Sequence, residues 1–391
     1  MTFARRARVL EQSATQRIND RALELKREGR DLVDLGAGDP RFSEPESAKE
    51  AGIRAIEDEI TGYTEAGGVP KLREAIVKRY EKAFGLEVEE LTSIATVGAK
   101  TALYEIAQLF YEEGDEVIIP RPYWVSYPAQ VKLAGATPVY AEGKRENNYI
   151  PTAAEIEKEI SPDTVAILLN SPSNPTGGVY DEEQGREILD LARAEDLLLI
   201  SDECYDGFVY ERDRFWTLAS EGYEKGLVVG STSKNFGMTG WRLGYVLGRE
   251  NYIRELVKLQ SQLTSSPPTV SQMAAEAVIK DQVSLSRELR EKFTRRRDFL
   301  VEGLAKLPGV DCPAPPGSFY LFPEITEVLE RLGYGRGEDE RFAGYLLEEA
   351  GVVTVPGTAF GTPGHLRLAY LPELSRLGEA LDRIKSAVND L

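Results

Sequence analysis

The chain has 391 residues, 42% of them hydrophobic and 29% charged, a composition typical of folded globular proteins and unlike that of disordered chains. Its 47 basic and 65 acidic residues give a formal net charge of -18, so counterion release gives it no general affinity for DNA or RNA. One histidine, His365, and two distant cysteines, Cys204 and Cys312, argue against a multi-histidine metal site, a zinc ribbon or a disulfide scaffold.

The length predicts more than one hydrophobic core, because single cores stop growing at roughly 250–300 residues. The arginines near the start are not followed by an apolar segment, so no secretory signal is expected. No apolar run approaches the ~20 residues of a membrane span. Together with the isolated cysteines, these features predict a cytoplasmic protein.

Helical and strand-like patterns alternate through the middle of the chain. Residues 43–46 have the form of a capping box and predict a helix to about residue 60. Further helices are predicted over residues 72–84, 100–111 and 182–194, and strands over residues 93–97, 116–119, 164–169, 197–201, 227–231 and 243–247. Because runs such as residues 165–169 do not alternate with polar residues, we expect a mostly parallel sheet covered by helices on both faces.

The last third of the chain has a different pattern. Residues 252–307 are helical with a break at Pro267-Pro268, and strand-like segments at residues 318–322 and 366–370 alternate with helical ones at 338–350 and 374–388. This predicts a second, smaller α+β domain. The expected division is an N-terminal segment at 1–40 that packs with the small domain, a large domain at 41–280 and the small domain at 281–391.

Candidate ligand-binding residues follow the predicted strands, and ligands of open α/β sheets bind at the carboxyl ends of strands. Gly98-Ala99-Lys100 opens a helix after the first strand, where free amides suit a phosphate. Asp202 ends an apolar strand, where a carboxylate needs a cation or a donor. Lys234 follows another strand, and Arg242 comes eight residues later.

Each motif alone also fits an ordinary turn, a structural ion pair or a surface lysine. Together they fit pyridoxal phosphate (PLP), which requires a lysine for its Schiff base, an acid for its ring nitrogen and a fold that holds its phosphate. A simple phosphate-binding module needs neither Lys234 nor Asp202.

The chain resembles the class I, aspartate-type aminotransferases, which are PLP enzymes of fold type I, over nearly its whole length. Two motif pairs carry the resemblance: Asn174-Pro175-Thr176-Gly177 upstream of Asp202-Glu203-Cys204-Tyr205, and Ser231-Thr232-Ser233-Lys234 before Gly240-Trp241-Arg242-Leu243-Gly244. The resemblance implies an α/β large domain with a mostly parallel sheet of the seven-stranded type covered by helices. It also implies a smaller α+β domain built from both chain ends, and a homodimer with shared active sites.

The resemblance also implies roles for individual residues. Lys234 would bind PLP covalently, Asp202 would pair with the ring nitrogen, Tyr205 and Asn174 would hydrogen-bond the ring oxygen, and Trp124 would stack on the ring. The phosphate ligands would be Gly98, Ala99, Lys100, Ser231, Ser233 and Arg242, with Tyr63 reaching in from the partner subunit. Arg367 would bind the substrate carboxylate, with Gly38, Trp124 and Asn174 also next to the substrate.

An acidic substrate is the favoured expectation. The family binds a side-chain carboxylate either through an arginine of the partner subunit, for which residues 261–268 show no matching motif, or through a lysine after the phosphate-loop glycine and an N-terminal hydroxyl. Lys100 and Thr15 fit the second pattern, although Ala99 stands where glycine is common. The expected reaction is ping-pong transfer between L-aspartate or L-glutamate and 2-oxoglutarate or oxaloacetate.

Other readings remain open within this family. An aromatic or prephenate aminotransferase, or a PLP-dependent β-lyase, would share the same cofactor site. A non-catalytic PLP-binding regulatory domain is disfavoured by the acidic charge and by the short segment before the substrate loop. The only partners expected are a small amino acid, a 2-oxo acid and a second subunit, with no nucleic acid, membrane or metal.

Overall fold

The computed structural model describes residue 4 and residues 14–40, 42–85, 90–210, 215–281 and 287–389. Its strands are β1 (Val33–Asp34), β2 (Leu91–Thr96), β3 (Glu116–Arg121), β4 (Thr137–Glu142), β5 (Thr164–Asn170), β6 (Leu198–Asp202), β7 (Gly226–Ser231), β8 (Gly244–Arg249), β9 (Tyr320–Leu321), β10 (Val352–Val353), β11 (Val355–Pro356) and β12 (Leu366–Ala369). Its helices are α1 (Ala14–Arg27), α2 (Glu46–Glu57), α3 (Pro70–Phe84), α4 (Ala99–Phe110), α5 (Ser126–Ala134), α6 (Ala153–Glu157), α7 (Glu182–Ala194), α8 (Thr232–Asn235), α9 (Glu250–Leu263), α10 (Thr269–Asp281), α11 (Arg287–Leu304), α12 (Thr326–Arg331), α13 (Asp339–Glu348) and α14 (Leu374–Asn389).

A seven-stranded sheet with the order β2-β8-β7-β6-β5-β3-β4 forms the centre of the fold. Every neighbouring pair is parallel except those made by β8, which runs antiparallel to β2 and β7. The predicted mostly parallel α/β sheet is therefore confirmed. The parallel order brings the carboxyl ends of β5, β6 and β7 to one edge.

Both faces of this sheet are buried, as the uninterrupted aliphatic runs predict. Successive side chains of a strand point to opposite faces, so Val117 and Ile119 pack on one side with α4, α5 and α9. Ile118 and Ile167 pack on the other side with α2, α3, α6, α7 and α10. The sheet is thus the middle of three layers.

Two local predictions were wrong or incomplete. Residues 43–46 do not form a capping box, because α2 begins at Glu46 with Pro45 at the cap position and no side-chain hydrogen bond there. Strand β4 was not predicted. It lies at the sheet edge, pairs only with β3 and carries Pro138, which lacks the N–H that a central strand needs.

A third buried cluster joins the two ends of the chain. Strand β1 pairs with β10, and β11, β12 and β9 form a three-stranded antiparallel sheet. Ile18 and Leu25 of α1 share this cluster with residues of α11 to α14, and Tyr205 and Phe208 reach it from the loop after β6. Residues 14–40 therefore pack with the C-terminal elements; most of the earlier residues lie outside the described part. The division at residues 40 and 280 stays a prediction.

In the described part of the chain, none of the helices combines the length and the apolar character that crossing a bilayer requires.

Candidate active site

A cavity of about 280 Å³ lies at the carboxyl edge of the seven-stranded sheet. It is lined by Ala99, Lys100, Trp124, Tyr127, Asn170, Asn174, Asp202, Cys204, Tyr205, Ser231, Ser233, Lys234, Thr239 and Arg242. Most of the predicted site residues are in this set. The structure thus brings together side chains that are up to 143 residues apart in the chain (Ala99 to Arg242).

Asp202 is a buried carboxylate at the end of β6. Its Oδ2 accepts a hydrogen bond from the Tyr127 hydroxyl at 2.7 Å, and its Oδ1 accepts one from the Cys204 backbone N–H at 3.1 Å. Burial raises the pKa of Asp202, an effect that these hydrogen bonds and the charge of Lys234 oppose. Lys234 is the cation whose charge acts on it, and no described residue forms an ion pair with it. A cationic group in the cavity would therefore hold Asp202 ionised.

Lys234 extends from the short helix α8, directly after β7. Its Nζ donates a hydrogen bond to the Gly38 carbonyl oxygen at 2.5 Å. Ser231 caps the helix, with its Oγ accepting from the Ser233 N–H at 3.0 Å. The lysine amine, the Ser231 and Ser233 hydroxyls and the acid thus face one cavity.

The start of α4 forms a cradle for an anion. Gly98 has φ +81°, and a Cβ there would lie 2.5 Å from a terminal nitrogen of Arg242, so only glycine lets that guanidinium approach the loop. Arg242 itself donates to the Thr239 carbonyl at 2.9 Å. Burial, followed by the charges of Arg242 and Lys234, lowers the pKa of Lys100. The amides at the start of α4, together with the charges of Lys100, Lys234 and Arg242, suit a phosphate.

Arg367 on β12 is a buried cation, 4% exposed, that lies one contact away from the cavity lining. One terminal nitrogen donates to Asn174 Oδ1 at 3.0 Å and the other to the Gly36 carbonyl at 2.7 Å. Its guanidinium carbon lies 4.4 Å from the centre of the Tyr320 ring and 5.1 Å from that of Phe360. Its Nε has no partner among the described residues. The planar group is held by aromatic rings and retains N–H donors for a carboxylate.

Three predicted residues lie one contact away from the cavity lining: Arg367 through Asn174, Gly38 through Lys234, and Gly98 through Arg242. Tyr63 and Thr15 do not line the cavity. Tyr63 is 95% exposed in the loop before α3. The Thr15 hydroxyl is buried in α1 without a hydrogen-bond partner in the described structure.

Sequence reasoning missed Tyr127, Asn170 and Thr239. Tyr127 lies in the first turn of α5, outside every motif that the sequence singled out. Asn170 ends β5 opposite Asp202 in the strand register, and its side chain donates to the Asp202 carbonyl at 3.0 Å. Only Asn170 had a usable signal, since it directly follows a predicted strand. No group of three or more His, Cys, Asp or Glu residues in the described part could hold a metal ion.

The sequence model of the family described as aminotransferase class I and II matches residues 30–384. The chain is 41% identical over 387 residues to the aspartate aminotransferase of Geobacillus stearothermophilus, with 98% of each chain covered. It is 40% identical to the aspartate/prephenate aminotransferase of Thermus thermophilus, with 97% of each covered. The solved structure of aspartate aminotransferase from Thermus thermophilus with maleate has a TM-score of 0.91 and 39% identity, and the match covers 98% of this chain and 99% of that one.

Proposed function

The chain belongs to the class I and II aminotransferases, and we propose that it transfers the amino group of L-aspartate or L-glutamate to 2-oxoglutarate or oxaloacetate with PLP as cofactor. One observation carries the cofactor assignment: a lysine, Lys234, and a buried acid, Asp202, that forms no ion pair with a described residue face the same cavity. The donor set fits PLP, since Asp202 is buried without an ion pair to any described residue and the Gly98 cradle offers amides beside Arg242. When bound, PLP takes up an amine and withdraws electrons from the substrate Cα.

Asp202 would keep the ring nitrogen protonated, because an opposite charge favours the charged form and burial limits its screening by water. Tyr205 would donate to the ring oxygen. Burial raises the pKa of Tyr205 well above its usual value, so its hydroxyl keeps the proton it must donate. Asn174 uses Oδ1 to accept from Arg367, which leaves its Nδ2 as a second donor. Trp124 would cover one face of the ring.

The phosphate would bind at the start of α4. The Gly98 turn and the amides of Ala99 and Lys100 offer donors there, and the Ser231 and Ser233 hydroxyls line the same cavity. Arg242 would supply the charge and a fork of N–H donors that matches phosphate oxygens.

Lys234 would have two tasks. It would attach the cofactor, and, once the substrate amine has displaced it, its neutral amine would remove and return the Cα proton. Asp202 would act on the ring nitrogen and Lys234 on the Cα proton, so the acid and the base would act on different atoms.

Arg367 would bind the α-carboxylate through two parallel hydrogen bonds, next to Gly38. Lys100 would bind the second carboxylate of an acidic substrate. It lines the cavity 4.9 Å from the Trp124 ring centre and forms no ion pair with a described residue, so its charge is available to a ligand. Thr15 would contribute its unpartnered hydroxyl after α1 moves closer.

A homodimer with shared sites is part of this proposal. Tyr63 is 95% exposed, and Ile53, Ile56 and Ile60 nearby are each about half exposed or more, at 55%, 60% and 47%. Such apolar exposure on α2 and just after its end favours burial against a second copy, which would bring Tyr63 to the partner's phosphate site. Analytical ultracentrifugation across a dilution series tests this, and a fully active monomer would contradict it.

Borohydride reduction of the PLP-loaded protein, followed by peptide mapping, is the direct test of the cofactor assignment. The label should be found on Lys234, and a label elsewhere or none at all overturns the assignment. A panel of amino donors should then show the highest kcat/KM for aspartate or glutamate. Preference for tyrosine would instead favour the aromatic alternative. Transfer of an amino group to prephenate would favour the prephenate alternative, and prephenate is one of the two substrates in the name of the Thermus thermophilus relative. Release of pyruvate and a β-substituent would indicate a lyase.

A further inference from the structure

Asn235 follows Lys234 in the chain, and both polar atoms of its side-chain amide form hydrogen bonds with the loop after β6. Asn235 Nδ2 donates to Asp206 Oδ1, and Asn235 Oδ1 accepts from the Gly207 backbone N–H at 3.1 Å. Both Asn235 and Asp206 are buried, with 3% exposure each. Because α8 has only four residues, this clamp acts on the backbone that carries the lysine.

The second carboxylate oxygen of Asp206 extends the network to two further elements. Asp206 Oδ2 accepts from Arg79 of α3 at 2.7 Å, in an ion pair whose side chains are 1% and 2% exposed. Arg79 also donates to the Tyr245 hydroxyl of β8 at 3.3 Å. One carboxylate therefore connects the loop after β6, the lysine helix and α3.

The loop that the network holds carries two of the proposed cofactor ligands. Asp202 lies at its start and Tyr205 immediately precedes Asp206. A buried donor or acceptor that loses its partner destabilises the fold by its full desolvation free energy. The members of such a network therefore constrain one another's positions. Neither Asp206 nor Asn235 lines the cavity.

We propose that Asn235 and Asp206 are positioning residues, which fix the Lys234 amine relative to Asp202 and Tyr205. The inference rests on the proposed function of Lys234 and deepens it. Catalytic groups must be held within a fraction of an ångström, and a displacement of about 1 Å can cost on the order of 10²-fold in rate. The hydrogen bonds of Asn235 replace the rigidity that a helix of four residues lacks.

The first test is Asn235→Ala, which leaves the Arg79–Asp206 ion pair in place. We expect kcat to fall about 10- to 100-fold while KM for the amino donor changes little. We also expect the pH at which the visible band of the PLP-loaded protein changes to shift, because the lysine nitrogen sits differently relative to Asp202. Retention of the wild-type kcat and the wild-type band in a folded Asn235→Ala protein would overturn the proposal.

A residue exchange separates geometry from charge. In the double variant Asp206→Asn with Asn235→Asp, every hydrogen bond can form with roles reversed: the new amide accepts from Arg79 and donates to the new carboxylate, which also accepts from the Gly207 N–H. Each single variant breaks the network, the second by placing two carboxylates together. We expect the double variant to recover at least about tenfold in kcat over Asp206→Asn alone, a strongly non-additive result. A double variant as slow as the slower single one would overturn the proposal.

Glu203→Gln is the matched control. Glu203 is a buried acid in the same loop, but it bonds Ser201 at 2.9 Å, Thr217 at 2.8 Å and the Leu218 N–H at 3.1 Å, away from α8. It should lower Tm and leave kcat and the absorption band unchanged. If it reduces kcat as much as Asn235→Ala, general loop stability explains the effect and positioning is refuted.

If wild-type protein fails to bind PLP at Lys234, the proposed function itself fails. If it binds PLP there and the variants match the wild type in kcat and absorption band, only the positioning inference fails.

Discussion

The two halves of the candidate site are built in different ways. Asp202, Ser231 and Lys234 lie at or just after the ends of adjacent strands of one sheet, so their relative positions follow from the strand register. Arg367 lies in the three-stranded sheet, and its partners Asn174 and Gly36 are 193 and 331 residues away in the chain. Most of the cofactor half therefore follows from one sheet and the loops after its strands, with Asn174 shared between the halves, whereas the substrate half exists only where separate parts of the fold meet. Damage to the two halves should produce different failures.

The largest effect is expected from Lys234→Arg in the cofactor half. The variant keeps a positive charge but has no amine that could attach PLP or accept the Cα proton at neutral pH, because guanidinium does not deprotonate. Turnover should fall on the order of 10⁴-fold, the upper end of what one acid–base group contributes. The measurement is kcat with aspartate and 2-oxoglutarate, together with the visible spectrum of the loaded protein.

The control for this variant is Lys132→Arg, at an exposed position of α5. It should match the wild type in turnover and spectrum. If Lys234→Arg retained more than about a tenth of wild-type turnover, the cofactor half would have been assigned to the wrong lysine.

Arg367→Lys should break the substrate half alone. A lysine cannot make two parallel bonds to a carboxylate or lie flat between Tyr320 and Phe360. Loss of a buried, hydrogen-bonded charge contact costs about 2–5 kcal/mol, so kcat/KM for aspartate should drop roughly 30- to 5,000-fold. The visible band should shift little compared with that of Lys234→Arg, because the variant replaces no proposed cofactor ligand and removes only one partner of Asn174.

Arg336→Lys, at an exposed arginine near the same sheet, should leave both values unchanged. A loss of PLP binding in Arg367→Lys would show that the two halves are not independent, and the comparison above would then be wrong.

Glu105 is a buried acid near the cofactor half whose replacement should change stability without changing turnover. This acid lies fully buried in α4, both carboxylate oxygens lack partners among the described residues, and burial raises its pKa to about 8 from 4.5. Between those pH values the unfolded chain releases a proton that the folded chain keeps, so stability falls as pH rises and the loss is complete above about pH 8. Glu105→Met should therefore stabilise the protein by about 2 kcal/mol at pH 8, with no effect on kcat.

Chemical denaturation at pH 5 and pH 8 measures this difference. The gain from Glu105→Met should be larger at pH 8, whereas Glu187→Gln at an exposed site of α7 should show no pH-dependent change. An equal gain at both pH values would mean that Glu105 is not a buried titrating group.

The difference between the cofactor half and the substrate half also explains which parts of the fold and of the site could be predicted from the sequence. Buried parallel strands are continuous aliphatic runs, so the strands preceding Asp202 and Lys234 could be located, and the polar residues after them predicted an edge site. The bond from Tyr127 to Asp202 spans 75 residues and has no local signal. Nor does any periodicity bring Arg367 to Asn174, so its role came only from the resemblance. Edge strand β4 was missed because Pro138 disrupts the strand pattern.

Tyr63 and Thr15 mark a different limit. The predicted role of Tyr63 depends on a second subunit, and the role proposed for Thr15 requires α1 to approach the cavity. Neither condition is encoded in local sequence pattern. Their distance from the cavity lining of one chain is therefore compatible with the roles that the resemblance implies.

The smallest effect is expected where the two halves meet, at Lys100→Met. Lys100 opens α4 in the cofactor half, but its proposed ligand is the side-chain carboxylate of the substrate. A hydrogen bond to a charged group contributes about 1.5–3 kcal/mol, and partial exposure to water reduces this, so kcat/KM for aspartate should fall about tenfold while that for alanine stays constant. Because the pKa of Lys100 is lowered, the wild-type preference for aspartate over alanine should already decline at pH values below those at which an ordinary lysine loses its proton. The variant should show no such decline. If the variant kept both the preference and its pH dependence, acidic specificity would have to come from another residue, and Lys100 would belong to the cofactor half alone.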